Sequence, residues 1–337
     1  MKKLPLNNAS FRFLENSFKE WLDIQGFAAT TVYNLPIQAR ELLHYLESQD
    51  INHIRQLDIK HIHAHYKKLK ERTHQRRSGG LSSAHLNKHG QALRKFIDYL
   101  RKVGRIQLPA LQLGHEAEHH TIDFLTVAEI NQLFATTYLP ISPKSRINIG
   151  QQEAFQSRDR AMLAIYYGCG LRRNEGVHLN LSDINFDKGI LHIRKGKSHK
   201  ERFVPLSTTS KNHLQTYIYD HRGQLARSNT VDALFLNQRG LRMQGQGLLL
   251  RLKRLQQQTG DLNLLEKEIG LHTLRHSIAT HLMAAGMKLA SISKFLGHSS
   301  LESTQIYTHL AGLQESTPQP YANIPGYETT QLHEDEK

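Results

Sequence analysis

Apolar residues recur at helical spacing from the start of the chain. Phe13, Leu14, Phe18, Trp21 and Leu22 form a first stripe, and Gly26 ends it. Thr30 or Thr31 can cap a second helix with Leu42, Leu43, Tyr45 and Leu46 on its apolar face. Pro36 near its start predicts a kink or a late beginning. Asp58 can cap a third helix through Ile62, Tyr66 and Leu69. A fourth aligns Leu86, Leu93, Phe96, Ile97 and Leu100 before stopping at Gly104. Four such helices predict a small all-α domain over residues 1–106.

Periodicity then fades. Residues 107–122, with Pro109, Gly114 and His119-His120, read as a linker. A second unit, 123–312, opens at Thr126-Val127-Ala128-Glu129, a capping box ahead of Ile130, Leu133 and Phe134. Pro140 to Gln156 is polar and irregular and reads as a loop. Asp159 then opens an apolar helix, Ala161 to Tyr167, closed by Gly168 and Gly170. Turn signals at Asp187-Lys188-Gly189 and Lys195-Gly196 bracket Ile190–Ile193 and Arg202–Pro205, a β-hairpin carrying Lys197. From Thr208 the pattern is helical again, apart from a strand-like run over 233–236. The expected fold is mainly α with one small sheet, and 313–337 form a tail.

Charge narrows the partner. The net charge is +14 and the pI about 9.8, which predicts a polyanion, and nucleic acid is the obvious one. The basic residues cluster on two helices: Lys60, Lys67, Lys68, Lys70, Arg72, Arg76 and Arg77 on one, Lys88, Arg94, Lys95, Arg101 and Lys102 on the next. A solvated face would mix signs; one sign favours phosphate contact. The tail differs, with Glu315, Glu328, Glu334, Asp335 and Glu336. No run of about 18 apolar residues suggests a membrane span, and the basic N-terminus lacks the apolar core of a signal peptide. The single cysteine, Cys169, excludes an intrachain disulfide framework, so a cytoplasmic protein is expected. His61, His63 and His65 lack a Cys or carboxylate at ligand spacing, which argues against a metal there.

Breaking a phosphodiester by nucleophilic catalysis needs an attacking oxygen, cations on the non-bridging oxygens, an acid for the leaving oxygen and a base for the nucleophile. Arginine is the best clamp, because its planar fork matches a phosphate and keeps its charge. Two arginines stand in distinctive contexts: Arg172 in Gly170-Leu171-Arg172-Arg173-Asn174-Glu175, and Arg275 in His272-Thr273-Leu274-Arg275-His276. His272 and Arg275, three apart, share a helix face. A metal pair of His272 with His276 has no carboxylate beside it.

With the hairpin Gly196-Lys197-Ser198-His199-Lys200-Glu201-Arg202-Phe203-Val204-Pro205-Leu206 and the stretch Leu296-Gly297-His298-Ser299-Ser300 to Thr304-Gln305, Tyr307-Thr308-His309, these motifs resemble the tyrosine recombinase (phage integrase) family, in family order. The N-terminal helices resemble its SAM-like core-binding domain. The resemblance implies that Arg172 and Arg275 clamp the scissile phosphate and that Lys197 protonates the leaving 5′ oxygen. It implies that His272 manages the proton of the nucleophile and His298 hydrogen-bonds a phosphate oxygen. Tyr307 attacks, giving a 3′-phosphotyrosyl link that religates without ATP, cofactor or catalytic metal. Lys195 and Lys200 share the hairpin, but Lys197 fits the family's Gly-Lys-x-x-Lys-x-Arg spacing.

Glu175 reads as a structural partner of the arginine's segment, Cys169 as a packed small residue, and Tyr166, Tyr167, Tyr217 and Tyr219 as core or surface. Gly176 departs from the family's usual Leu and is expected to loosen its helix by about 1 kcal/mol. The implied partners are double-stranded DNA and three further copies in a homo-tetramer on paired sites, with accessory DNA-bending proteins a further expectation. A tail segment within Ala311 to Tyr327 is expected to dock on a neighbouring protomer. The 140–156 loop favours a mobile-element integrase; the alternatives are a Xer-like resolvase of chromosome dimers, a type IB topoisomerase, or a DNA-binding module without catalysis.

Overall fold

A computed structural model of the chain describes residues 4–72, 80–116, 123–140, 148–194, 201–227, 231–298 and 301–311. It separates into two units, Met1–His120 and Thr121–Lys337. Lys197 lies outside the described residues, as do 141–147 and the tail beyond 311.

The first unit contains α1 (Ala9–Ile24), α2 (Ala29–Glu47), α3 (Ile59–Glu71) and α4 (Ser83–Lys102). Their apolar stripes meet in one core that includes Phe11, Phe18, Leu22, Leu42, Leu43, Leu46, Phe96 and Leu100. Phe18 and Phe96 meet edge to face at 5.1 Å, a favoured aromatic geometry. Asn8, Asp58 and Ser82 cap α1, α3 and α4 by accepting backbone N–H bonds. α2 begins at Ala29 and runs through Pro36 without a side-chain cap, so the late start is not observed. Burial of Val32, Leu35, Ala39, Leu42 and Leu46 on one face outweighs the one hydrogen bond that proline cannot make. The first part of the expected linker packs on this unit: Leu111 is buried in its core and Leu108 packs against it. His61 Nδ1 accepts the Asp58 N–H, His63 is exposed and His65 is buried, so the three histidines diverge. Among the described residues no group of three or more His, Cys, Asp or Glu is placed to hold a metal.

In the second unit, α5 (Val127–Thr136) starts at the expected capping box, with Thr126 Oγ1 accepting from the Glu129 N–H and Glu129 Oε2 from the Thr126 N–H. The expected loop over 140–156 is corrected in part. Asn148 caps α6 (Ile149–Leu163), which continues as a π-helical turn, Ala164–Gly168. Asp159 sits inside this helix rather than at its start. It is fully buried and paired with Arg251 and with the adjacent Arg158. The polar stretch before it, with Gln151, Gln152, Glu153 and Gln156, lacks an apolar stripe and hides the first half of the helix from a pattern reading.

After α7 (Arg173–His178), β1 (Ile184–Asn185), β2 (Ile190–Ile193) and β3 (Arg202–Pro205) form an antiparallel sheet in the order β1-β2-β3. Leu191 pairs with Val204 and His192 with Phe203, so alternation turns Leu191, Ile193 and Val204 into the core. The 233–236 run makes only isolated bridges, Asn180–Ala233 and Leu236–Arg242. The remaining helices are α8 (Thr208–Gln215), α9 (Arg222–Leu225), α10 (Gly245–Thr259), α11 (Leu262–Glu266), α12 (Leu271–Ala284), α13 (Leu289–Leu296) and α14 (Glu302–Ala311), with a π-helical turn at Thr216–His221 between α8 and α9. Among the described residues no helix is long and apolar enough to cross a membrane.

Candidate active site

Three arginines converge on the C-terminal end of α13. The last carbonyls of a helix lack partners within it and carry the negative end of its dipole, so cations collect there. Arg202 Nε donates to Phe295 O at 3.3 Å, Arg275 Nη2 to Leu296 O at 2.8 Å, and Arg172 Nη2 to Gly297 O at 3.0 Å. Gly297 ends α13 with φ +65°, and a Cβ there would lie 2.8 Å from Arg202 Cδ. Both the backbone and the packing therefore require glycine.

Glu175 faces the arginines from the first turn of α7. It accepts from the Arg172 backbone N–H and Nη1, both at 2.9 Å, and from Arg202 Nη1 and Nη2, both at 2.9 Å. Arg275 stands 4.0 Å away. Burial opposes a charged carboxylate, but Arg202 and then Arg172 more than offset it and hold Glu175 down at about 2. The expectation that Glu175 supports the arginine segment is consistent with this geometry.

Arg275 comes from α12, is 3% exposed, and also donates to Gly170 O at 2.7 Å. Gly170 has φ +59°, and a Cβ there would meet Leu296 Cδ2 at 2.9 Å, so the turn before Arg172 packs directly on α13. Gly176, expected to loosen its helix, instead makes room. A Cβ at 176 would lie 2.4 Å from the Oη of fully buried Tyr166, which donates to Arg173 O at 3.0 Å. Tyr167 and Tyr217 are likewise core and Tyr219 is exposed; Cys169 is buried, which pushes its thiol up to about 12.

Tyr307 projects from α14 into this cluster and is 1% exposed. Its Oη lies 2.9 Å from His276 Nδ1, and its ring stacks on His298 at 6.3 Å and 12°. Burial raises the phenol above its ordinary range, while the Arg275 and Arg172 charges pull it back. Burial, then His272 and Arg275, press His276 down to about 4, so it is neutral at pH 7 and its Nδ1 can accept from Tyr307 in the tautomer that carries its proton on Nε2. His298 is also held near 4 by burial and by Arg275 and Arg172. Its Nδ1 lies 2.8 Å from Thr304 Oγ1, which leaves Nε2 for a phosphate oxygen. His272, one turn before His276 on α12, reaches the surface. Partial burial and the charges of Arg275 and Arg172 lower it.

The structure thus gathers Arg172, Arg275, His298 and Tyr307, with His272 at the edge. Sequence reasoning gave the proton of the tyrosine to His272, whereas His276 is the histidine at hydrogen-bonding distance. It assigned no role to His276, Arg202 or Thr304, although all three stand inside the motifs it singled out. His276 shares the Arg275 helix face less directly than His272 does, and only the packing of α14 on α12 brings Tyr307 to it.

Residues 123–313 match the phage integrase family model. The chain is 36% identical over 234 residues to a tyrosine recombinase XerD of Oceanobacillus iheyensis, covering 68% of this chain and 73% of that protein. It is 30% identical over 302 residues to a tyrosine recombinase XerC of the same organism, covering 88% and 90%. In fold it is similar to the XerH site-specific recombinase bound to palindromic difH substrate in a post-cleavage complex. That match has a TM-score of 0.65 at 21% identity and covers 89% of this chain and 81% of the other.

Proposed function

We infer the chemistry from one premise: this chain belongs to the phage integrase family and is a DNA strand-exchange tyrosine recombinase. Tyr307 Oη attacks the scissile phosphorus, forming a 3′-phosphotyrosyl bond while the bond to the 5′ oxygen breaks. The phenolic proton passes to His276 Nδ1, and Lys197 supplies a proton to the departing 5′ oxygen. Arg172, Arg275 and His298 Nε2 hold the non-bridging oxygens, where negative charge grows. An ordinary tyrosine pKa of about 10 makes this help necessary, since little phenolate exists at pH 7. Attack by the free 5′ hydroxyl of another strand reverses the chemistry and conserves the bond energy, so no cofactor or metal takes part.

The observation that carries this reading is the Tyr307 to His276 contact at 2.9 Å, set beside two arginines that donate to the same carbonyl, Leu296 O. The active assembly is a homo-tetramer on two duplex sites in the cytoplasm, with accessory DNA-bending proteins where the sites require them. Likeness to XerC along 88% of the chain supports resolution of chromosome dimers; integration of a mobile element is the alternative. The test is to sequence the DNA covalently trapped on the wild-type protein in cells, then to repeat the trap on a nicked duplex carrying the recovered site. The wild type leaves a phosphotyrosine adduct, and Tyr307→Phe binds the duplex without one. A wild type that binds this duplex and traps nothing would rule the chemistry out. Adducts at one chromosomal locus indicate dimer resolution; adducts at the ends of an element indicate integration.

A further inference from the structure

We propose that Arg202 is a positioning residue that offsets Glu175, so that this carboxylate orients Arg172 without withdrawing positive charge from the scissile phosphate. The inference rests on the phosphotyrosyl chemistry above. Arg202 does not reach the substrate side. Its side chain is 11% exposed, and its donors go to Glu175 Oε1 and Oε2 and to Phe295 O. Its aliphatic stem runs where a Cβ on residue 297 would be, so the turn leading into His298 is shaped around it.

Charge explains why such a residue is needed. Glu175 aligns Arg172 through two hydrogen bonds and stands 4.0 Å from Arg275. Unopposed, it would neutralise one of the two clamping arginines and lower the positive charge facing the phosphate by one. Arg202, a third guanidinium set against that one carboxylate, restores it. A phosphodiester carries one negative charge, and adding the phenolic oxygen without its proton makes the five-coordinate phosphorus centre dianionic. The restored positive charge favours the dianionic transition state over the monoanionic ground state, the condition for lowering the barrier. The bidentate Arg202–Glu175 pair, with its second partner a helix-end carbonyl, is held in fixed geometry. That geometry keeps Glu175 ionised and turned away from the phosphate.

The test uses the full chain and the nicked duplex recovered above, after the wild type has been shown to trap on it. Arg202→Met should bind the duplex as the wild type does yet form adduct about ten- to a hundredfold more slowly, at or below the roughly 10²- to 10³-fold cost of losing a donor that touches the phosphate directly. Arg202→Lys, which keeps the charge but loses the fork, should fall between them. Removing the carboxylate should suppress the defect: Glu175→Gln combined with Arg202→Met should match Glu175→Gln alone within about threefold and exceed Arg202→Met. A methylphosphonate at the scissile position, which removes one negative charge, should shrink the Arg202→Met defect. The inference is overturned if Arg202→Met traps at the wild-type rate, if the double variant is no faster than Arg202→Met, or if the defect is equal on both substrates. Should Arg202→Met melt below the assay temperature, Arg202→Lys and the double variant decide on the same criteria.

Discussion

Replacing Gly176 by alanine sets two physical effects against each other, and the structure decides between them. Gly176 lies inside α7, where alanine should gain about 1 kcal/mol of helix propensity. On that ground alone the variant is more stable. The new Cβ, however, would sit 2.4 Å from Tyr166 Oη and 2.5 Å from Tyr166 Cζ. Carbon contacts are comfortable near 3.5–4.0 Å, so the overlap is roughly 1 Å. The phenol ring is fully buried and has no solvent to move into. Overpacking of this kind costs about 1–3 kcal/mol. If the ring swings aside, its bond to Arg173 O is lost, which leaves a buried hydroxyl unpaired at a further cost of about 1–3 kcal/mol. With the ring displaced, sterics should win by about 1–5 kcal/mol, lowering the melting temperature of the second unit by roughly 2–20 °C. Thermal and urea unfolding of the full chain measure this. Combining the change with Tyr166→Leu should cost less than the sum of the single variants, because the clash is relieved. An alanine variant as stable as the wild type would refute the argument and restore the simpler view that Gly176 merely loosens its helix.

Replacing His276 by Ala should lower single-turnover adduct formation about 10²- to 10⁴-fold, the usual worth of a positioned base, with duplex affinity unchanged. If His272→Ala is the slower variant, His272 is the base. Stability should fall with acid. His65, His276, His281 and His298 are lowered from 6.5 to about 4, and His89 to about 3, chiefly by burial. Between about pH 6.5 and 4 the unfolded chain therefore binds protons that the fold excludes. Stability is complete above that window and declines through it, by up to about 1.4 kcal/mol per pH unit for each histidine, less for the half-buried His298. An equal urea midpoint at pH 7 and pH 5 would contradict this. The contribution of Glu175 is lost separately, below about 4.5 and toward 2. Lys60→Gln and Lys88→Gln, at exposed positions on α3 and α4, should each reduce the slope of log affinity against log salt by about 0.9 if they contact phosphate. The preferred DNA sequence should not change, and unaltered slopes would move the phosphate track elsewhere.

Local chemistry made much of this protein readable from its sequence. Apolar periodicity, the Asp58 and Thr126 caps and the Asp187-Lys188-Gly189 turn depend on residues a few positions apart, and those features stand where the pattern put them. The charge balance named the polyanion, and the ordered motifs from Gly170 to Tyr307 named the family. What stayed hidden depends on partners distant in sequence. The first half of α6 looked like loop because Gln151, Gln152, Glu153 and Gln156 make it polar, and Asp159 looked like a helix start because only Arg251, 92 residues away, makes its charge acceptable inside a core helix. Gly176 looked like a defect until Tyr166 filled the space beside it. His276 became the tyrosine's partner through the packing of α14 on α12, and Arg202 acquired a role only where β3, α7 and the end of α13 meet. Periodicity and motif spacing report what a residue is and which face it occupies. Which groups touch, and so which proton moves where, is decided by long-range packing.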